Sequence, residues 1–169
     1  MSISPAYAAT MARYNRWQNE AILTAAEALG EEARRKDMGA FFRSIHGTLS
    51  HLYWGDSFWM HRFAGWEKPA GGIADSPAFM PEWSALCARR AALDERIVTW
   101  AEGLDAAWLA GDLTWHSRAA DRTMHQPRWL AVTHFFNHQT HHRGQVTALI
   151  TALGGTTADT DLVLMPPGA

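Results

Sequence analysis

The segment from His134 to Gln145 concentrates coordinating side chains: five of the nine histidines lie between His125 and His142. Packing alone rarely favours such a cluster. Residues four apart on an α-helix lie one turn above the other, so His138 and His142 can aim two imidazoles at one ion. Neutral imidazole is a good ligand for zinc, nickel, copper or iron, at about 2.0–2.1 Å for zinc. His134, His138 and His142 extend the same series, but the outer two are rotated by roughly 80° at 3.6 residues per turn. One ion is not expected to take all three. His134 is therefore read as a pocket residue beside the ligands, and His141 as a structural hydrogen-bond donor. A histidine pair at this spacing is also often no more than a solvated or hydrogen-bonded pair, so a third ligand from another helix is the deciding requirement.

Of His46, His51 and His61, His51 is the best candidate. Ser44, Thr48, His51 and Gly55 share one helical face, and every neighbour of His51 on it is small. Such a face leaves space for an ion, its waters and a substrate, with Thr48 lining the pocket. The bulky Ile45, Leu49, Leu52 and Trp59 lie on the adjoining face and read as core. Arg143 is expected to pair with Asp56 or Glu20 across the molecule, or to bind an anionic substrate group. Gly144 lets another helix approach, and Gln145 can hold a ligating imidazole or a bound water. No residue is assigned a catalytic role from the sequence. Three protein ligands leave coordination positions free, as in catalytic rather than structural zinc sites.

The elements that must position these side chains are helical. Ser4-Pro5 reads as an N-cap and first turn, followed by Tyr7, Met11, Tyr14, Ile22 and Ala25 at helical spacing and a stop at Gly30. Asp37 is the expected cap of a second helix carrying Phe41, Ile45, Leu49, Leu52 and Trp59 and fading near Arg62. Residues 65–77, with two prolines and three glycines, form a connection. A third helix is expected from about Pro81 to Gly103. Leu113 to Ser117 alternates as one strand of a small hairpin turning near Ala119–Arg122. Gln126-Pro127 opens the last helix, which stops at Gly154-Gly155, and Asp161 to Met165 is expected as an extended tail packed on the rest. The expected architecture is all-α: an up-down-down-up four-helix bundle with one long crossover and a small β-hairpin between its third and fourth helices, in a single domain over residues 1–169.

Bulk properties narrow the partners. The chain has 47% hydrophobic and 19% charged residues and a formal net charge of −2, a globular balance without a basic stripe for nucleic acid. No apolar run approaches the ~20 residues of a membrane span. The first residues do not read as a secretory signal, and the one cysteine, Cys87, has no internal disulfide partner. A cytoplasmic location and a small-molecule substrate are expected, with no nucleic acid and no membrane.

Ser44-Ile45-His46-Gly47-Thr48-Leu49-Ser50-His51-Leu52, followed by Asp56 and Trp59, resembles the second helix of the DinB/YfiT superfamily. Phe136-Asn137-His138-Gln139-Thr140-His141-His142-Arg143-Gly144-Gln145-Val146 resembles its fourth-helix signature, and Thr160-Asp161-Leu162 its closing residues. The resemblance spans most of the chain and is weak over 65–80. It implies a four-helix bundle, expected as a homodimer, with zinc or nickel bound by His51, His138 and His142. It further implies a metal-dependent thiol S-transferase acting on a small electrophile, with a low-molecular-weight thiol such as bacillithiol, mycothiol or glutathione. The alternatives are a metal-dependent hydrolase, or a non-catalytic stress-response module with a structural metal. Hydrolysis calls for a carboxylate base, and Asp56 lies about 140° around its helix from His51. Cys87 is expected as a small buried residue rather than a nucleophile.

Overall fold

Apolar residues at helical spacing, set between firm start and stop signals, build the long elements of the chain. The computed structural model describes residues 3–117 and 120–168. In chain order these form α1 (Pro5–Ala28), a short α2 (Gly30–Arg35), α3 (Ile45–Ala64), α4 (Trp83–Glu102), a short α5 (Ala106–Ala110), strands β1 (Asp112–Ser117) and β2 (Arg122–Pro127), and α6 (Arg128–Ala152). Among the described residues no helix is long and apolar enough to cross a membrane.

The start of α1 follows expectation. Ser4 Oγ accepts from the Tyr7 N–H at 3.1 Å, and Pro5 occupies the first turn, where its missing N–H removes nothing. The next long helix begins later than the predicted Asp37 cap. Asp37 instead accepts from the Gly39 N–H within a turn, and Ser44 caps α3 by accepting from the Gly47 N–H at 3.0 Å. The cause lies in the backbone: Gly39 and Arg43 both have left-handed φ, at 73° and 67°, which no α-helix accommodates. This shift reverses two expected roles. Phe41 is 79% exposed, and Phe42 is buried in its place. Gly65, at φ 68°, ends α3 by returning its N–H to the His61 carbonyl.

Side-chain partners fix the direction of each long helix. Arg13 meets Glu102 and Arg16 meets Glu95, so α1 and α4 are antiparallel. Tyr7 packs on Phe136 and Arg143 over Tyr14, so α1 and α6 are parallel. His51 faces His142 while Trp59 faces His134, which makes α3 antiparallel to α6. Asp56 meets Arg90 and Phe63 stacks on Trp100, which makes α3 parallel to α4. The result is the expected up-down-down-up bundle. A parallel α3–α4 pair requires residues 65–82 to travel back along the bundle, and they do so against α3. Trp54 Nε1 donates to the Ala70 carbonyl, and a 3-10 turn at Ser76–Ala78 packs on the first half of α3.

The core has two apolar clusters with a polar belt between them. One gathers Met60, Phe63, Ile97, Leu109, Val132, Phe135 and Phe136, and the other Ile22, Ile45, Leu49, Leu52, Leu86, Val146 and Ile150. Each such side chain contributes about 1.5–3 kcal/mol when fully buried. The belt consists of Asn15 and Asn19 from α1, Asp56 from α3, Arg90 and Asp94 from α4, and Gln139 and Arg143 from α6, all buried. Arg90 donates to Asp56 at 2.6 Å and to Asp94 at 2.7 Å, and Asn19 donates to Asp94 at 2.9 Å. Burial pushes both carboxyls upward and Arg90 opposes it.

The hairpin expected before the last helix is present, pairing Asp112 with Pro127 through Ser117 with Arg122. Part of its expected turn, at Ala119, lies outside the described residues. Trp115 docks the hairpin edge-on against Trp59 of α3. The C-terminal segment departs from the expected extended tail. Leu162–Leu164 form a 3-10 turn with Val163 90% exposed. What ties this end down is backbone just before it: Tyr14 donates to the Thr160 carbonyl at 2.6 Å, and Gln18 to that of Asp159 at 3.0 Å.

Candidate metal centre

The antiparallel α3 and α6 carry His51, His138 and His142 to one place. Nε2 of His51 lies 3.3 Å from Nε2 of His138, and one nitrogen from each of the three residues falls within 4.8 Å of the others. The ring centroids of His138 and His142 are 4.5 Å apart, and those of His51 and His142 4.8 Å. Two nitrogens bound to one tetrahedral ion at zinc distances would stand about 3.3–3.4 Å apart. The His51–His138 separation therefore suits a shared ion.

The tautomers of two of these rings follow from their partners. Ser76 Oγ donates its one proton to the Ile73 carbonyl at 2.6 Å, so it accepts from His51 Nδ1 at 2.8 Å. The Nε2 lone pair of His51 is then free and points at His138. His142 Nδ1 donates to Gln145 Oε1 at 2.7 Å, which frees its Nε2 likewise. His138 Nδ1 is buried with no partner among the described residues. Its ring is held by close packing on Gly55, where an added Cβ would stand 3.3 Å from Cε1. Glycine is what lets α6 bring His138 this near to α3.

Charge supports the same arrangement. Burial holds His51 down to about 3, helped by the neighbouring His142 charge. His138 is likewise held to about 3 by burial and then by His142 and His51. Burial also lowers His142, against an upward pull from Gln145. All three imidazoles are neutral near pH 7, the state that can bind a metal ion.

The remaining candidates divide. Gln145 supports His142, one of the roles expected of it. His134 is exposed, its ring 5.9 Å from that of His138 and 5.2 Å from Trp59. His141 is exposed beside His142, with ring centroids 4.9 Å apart, and has no hydrogen-bond partner among the described residues. The structural-donor reading therefore has no acceptor there. Thr48 is buried and its hydroxyl donates to the Ser44 carbonyl at 2.8 Å, serving its own helix. The small-residue face of α3 is also less open than expected. Phe42 stacks on His51 with centroids 3.8 Å apart, and His138 takes the space at Gly55. Arg143 does not pair with Asp56 or Glu20. Arg90 occupies Asp56, and Arg143 lies over the Tyr14 ring with Nη2 donating to Thr140. His46 and His61 are committed to the Met80 and Trp66 carbonyls.

Two contributors went unread in the sequence. Ser76 lies in the Pro- and Gly-rich connection, where nothing in the local pattern marks a residue that reaches His51. Phe42 was hidden by the misplaced helix start.

An up-down-down-up helical bundle with three neutral imidazoles converging between two of its long helices defines a class of four-helix proteins with a candidate metal centre. Comparison with known sequences identifies the family. The chain belongs to the DinB family, whose model matches residues 1–168. It is 26% identical over 162 residues to Protein DinB of Bacillus subtilis (strain 168), covering 92% of this chain and 91% of that protein. No solved structure matches it significantly.

Proposed function

We propose that the protein binds one zinc or nickel ion through Nε2 of His51, His138 and His142, and that it transfers a low-molecular-weight thiol to a small electrophile. The observation that carries the metal reading is the convergence of these nitrogens with Ser76 and Gln145 fixing the tautomers of two rings. A bound ion would supply Lewis acidity, lowering the pKa of a coordinated thiol. The protein's own part is to keep the imidazoles neutral by burial, to fix their orientation, and to shield one face of His51 with Phe42. No fourth histidine, cysteine or carboxylate joins the cluster among the described residues, so a bound ion would have a coordination position to be filled from solution.

Thiol transfer is favoured over hydrolysis by the position of Asp56. It is buried against Arg90 in the polar belt, so it is not free to act as a general base at the centre. Cys87 lies on α4, burial pushes its thiol up, and it is not among the clustered groups. The thiol therefore comes from solution.

The test begins with untagged protein and elemental analysis. The expected result is one zinc or nickel per chain, lost in His138→Ala. A panel of electrophiles is then offered with glutathione, mycothiol or bacillithiol, with and without chelator. Consumption of electrophile that needs both metal and thiol supports the proposal. Metal-dependent cleavage without thiol replaces it with hydrolysis, and a metal that changes only the melting temperature replaces it with a structural role. Protein without stoichiometric metal overturns it.

A further inference from the structure

Resting on the metal reading above, we infer that Arg62 is an anion-recognition residue at the far end of a run of aromatic rings from the centre, so that the molecule acting there is elongated and carries a carboxylate joined to a flat apolar body. Arg62 lies eleven residues after His51 on α3, about three turns on and within roughly 20° of the same face. Its guanidinium sits 4.5 Å from the ring centroids of both Phe58 and Trp59, and 5.3 Å from that of Trp115 on the hairpin.

The guanidinium has no hydrogen bond and no carboxylate partner among the described residues. Arg13, Arg16, Arg34, Arg35 and Arg90 each meet a carboxylate, whereas Arg62, like Arg96 and Arg128, is held over aromatic rings, in its case by three of them. Burial alone draws Arg62 down to about 10, so it stays charged near pH 7 with no acidic group acting on it. Stacking over aromatic faces leaves the N–H edge of a guanidinium available, and that edge matches a carboxylate in a two-pronged hydrogen bond. Lys68 Nζ, 5.6 Å from the Phe58 centroid, adds a second positive charge nearby.

Two rows of rings join this cation to the centre. From His51 the row passes through Trp54 and Phe58, whose rings stack at 5.1 Å. From His138 it passes through His134 and Trp59. The Arg62 charge also acts on His134, helping to lower it. A ligand with its reacting atom at the histidines and a planar body along exposed His134 and half-buried Trp59 would bring its far end to Arg62. The carboxylate can belong to the electrophile or to the thiol, and the chemistry of recognition is the same.

The experiment is calorimetric titration of the full chain, zinc-loaded and metal-free, with two matched pairs of probes. Phenylacetate is compared with phenylacetamide, and glutathione, whose thiol and terminal carboxylates stand farther apart, with its diethyl ester. In at least one pair the acid is expected to bind about tenfold or more tightly than its neutral analogue. Preference in the first pair places the carboxylate on the electrophile, and in the second on the thiol. Arg62→Gln should abolish the preference and Arg62→Lys should retain part of it, with zinc content unchanged in both. No acid preference in the parent protein overturns the inference. So does a preference that survives Arg62→Gln, which would mean that the acid binds the ion itself. If Arg62→Gln does not fold, Arg62→Lys binding acid and neutral probes with the parent's full ratio overturns it equally. Elemental analysis of the same samples separates the two proposals: absent zinc removes the metal reading, while an Arg62-dependent preference in metal-free protein upholds the anion site.

Discussion

Replacing Ser76 with alanine isolates the contact that orients His51 without touching a coordinating residue. In the parent protein Ser76 Oγ accepts the His51 Nδ1 proton at 2.8 Å, in a place where both side chains are buried. Alanine leaves that N–H with no acceptor. The ion-free ring can escape by moving its proton to Nε2, but an ion on Nε2 forces the proton back to the orphaned Nδ1. The cost therefore falls mainly on the bound state. A buried donor left unpaired costs about 1–3 kcal/mol, and loss of a group that supports a ligating histidine typically lowers affinity about 10–100-fold. The assay is competition for zinc against a chromophoric chelator, with the melting temperature of the metal-free protein as control. Metal-free Ser76→Ala should melt within a few degrees of the parent, at roughly 2–4 °C per kcal/mol for a chain of this size. Gln145→Ala is the comparison. Gln145 is only half-buried, so water can replace its oxygen at His142, and a loss below about tenfold is expected. Zinc affinity unchanged in Ser76→Ala, or a larger loss in Gln145→Ala, would refute the reasoning.

Gly55→Ala should separate binding from stability in opposite directions. The new Cβ would stand 3.3 Å from His138 Cε1 and press the ring away from His51, lowering zinc affinity about 3–10-fold by the same competition assay. The metal-free protein should melt no lower and somewhat higher, since alanine improves on mid-helix glycine by about 1 kcal/mol. Stability of the metal-free protein should also depend on pH. His51 and His138 stand at about 3 when folded and near 6.5 when unfolded, so between those values the unfolded chain binds more protons. Their contribution is complete above about pH 6.5 and is lost as pH falls from there towards 3. Urea midpoints near pH 7.5, 6 and 5 should decline in that order, and the decline should be shallower in a His51→Gln, His138→Gln double variant.

The features legible in the sequence were those with a local period. His138 and His142 are paired by helical spacing alone, and small neighbours singled out His51 from His46 and His61. The four long helices and the hairpin were readable for the same reason. What escaped depended on partners far along the chain. The Asp37 start failed because the left-handed turns at Gly39 and Arg43 leave no periodic trace, and that displaced Phe42 from the face on which it shields His51. Arg143 looked like the natural partner of Asp56 because its motif is conspicuous. Arg90 takes that place from an unremarkable stretch of α4. Ser76 reaches His51 only because a parallel helix pair obliges the connection to run back along α3. The helical face that carries His51 is small as its sequence says, but the space it leaves is largely filled by Phe42 and His138 from other segments.

The helix order has a consequence for how the chain reaches this state. α1 is followed by α3 across the bundle diagonal, α3 by a parallel neighbour, and α4 by α6 across the other diagonal. No two successive long helices form an antiparallel hairpin, so no short stretch can close its own apolar face early. Every antiparallel interface between long helices joins segments far apart in sequence, such as Arg16 with Glu95 or His51 with His138. Chains rich in such non-local contacts fold more slowly than simple up-and-down bundles. Truncation before α6 removes one wall of the bundle and two of the three imidazoles together, so partial products of synthesis or proteolysis keep neither a closed core nor a competent site.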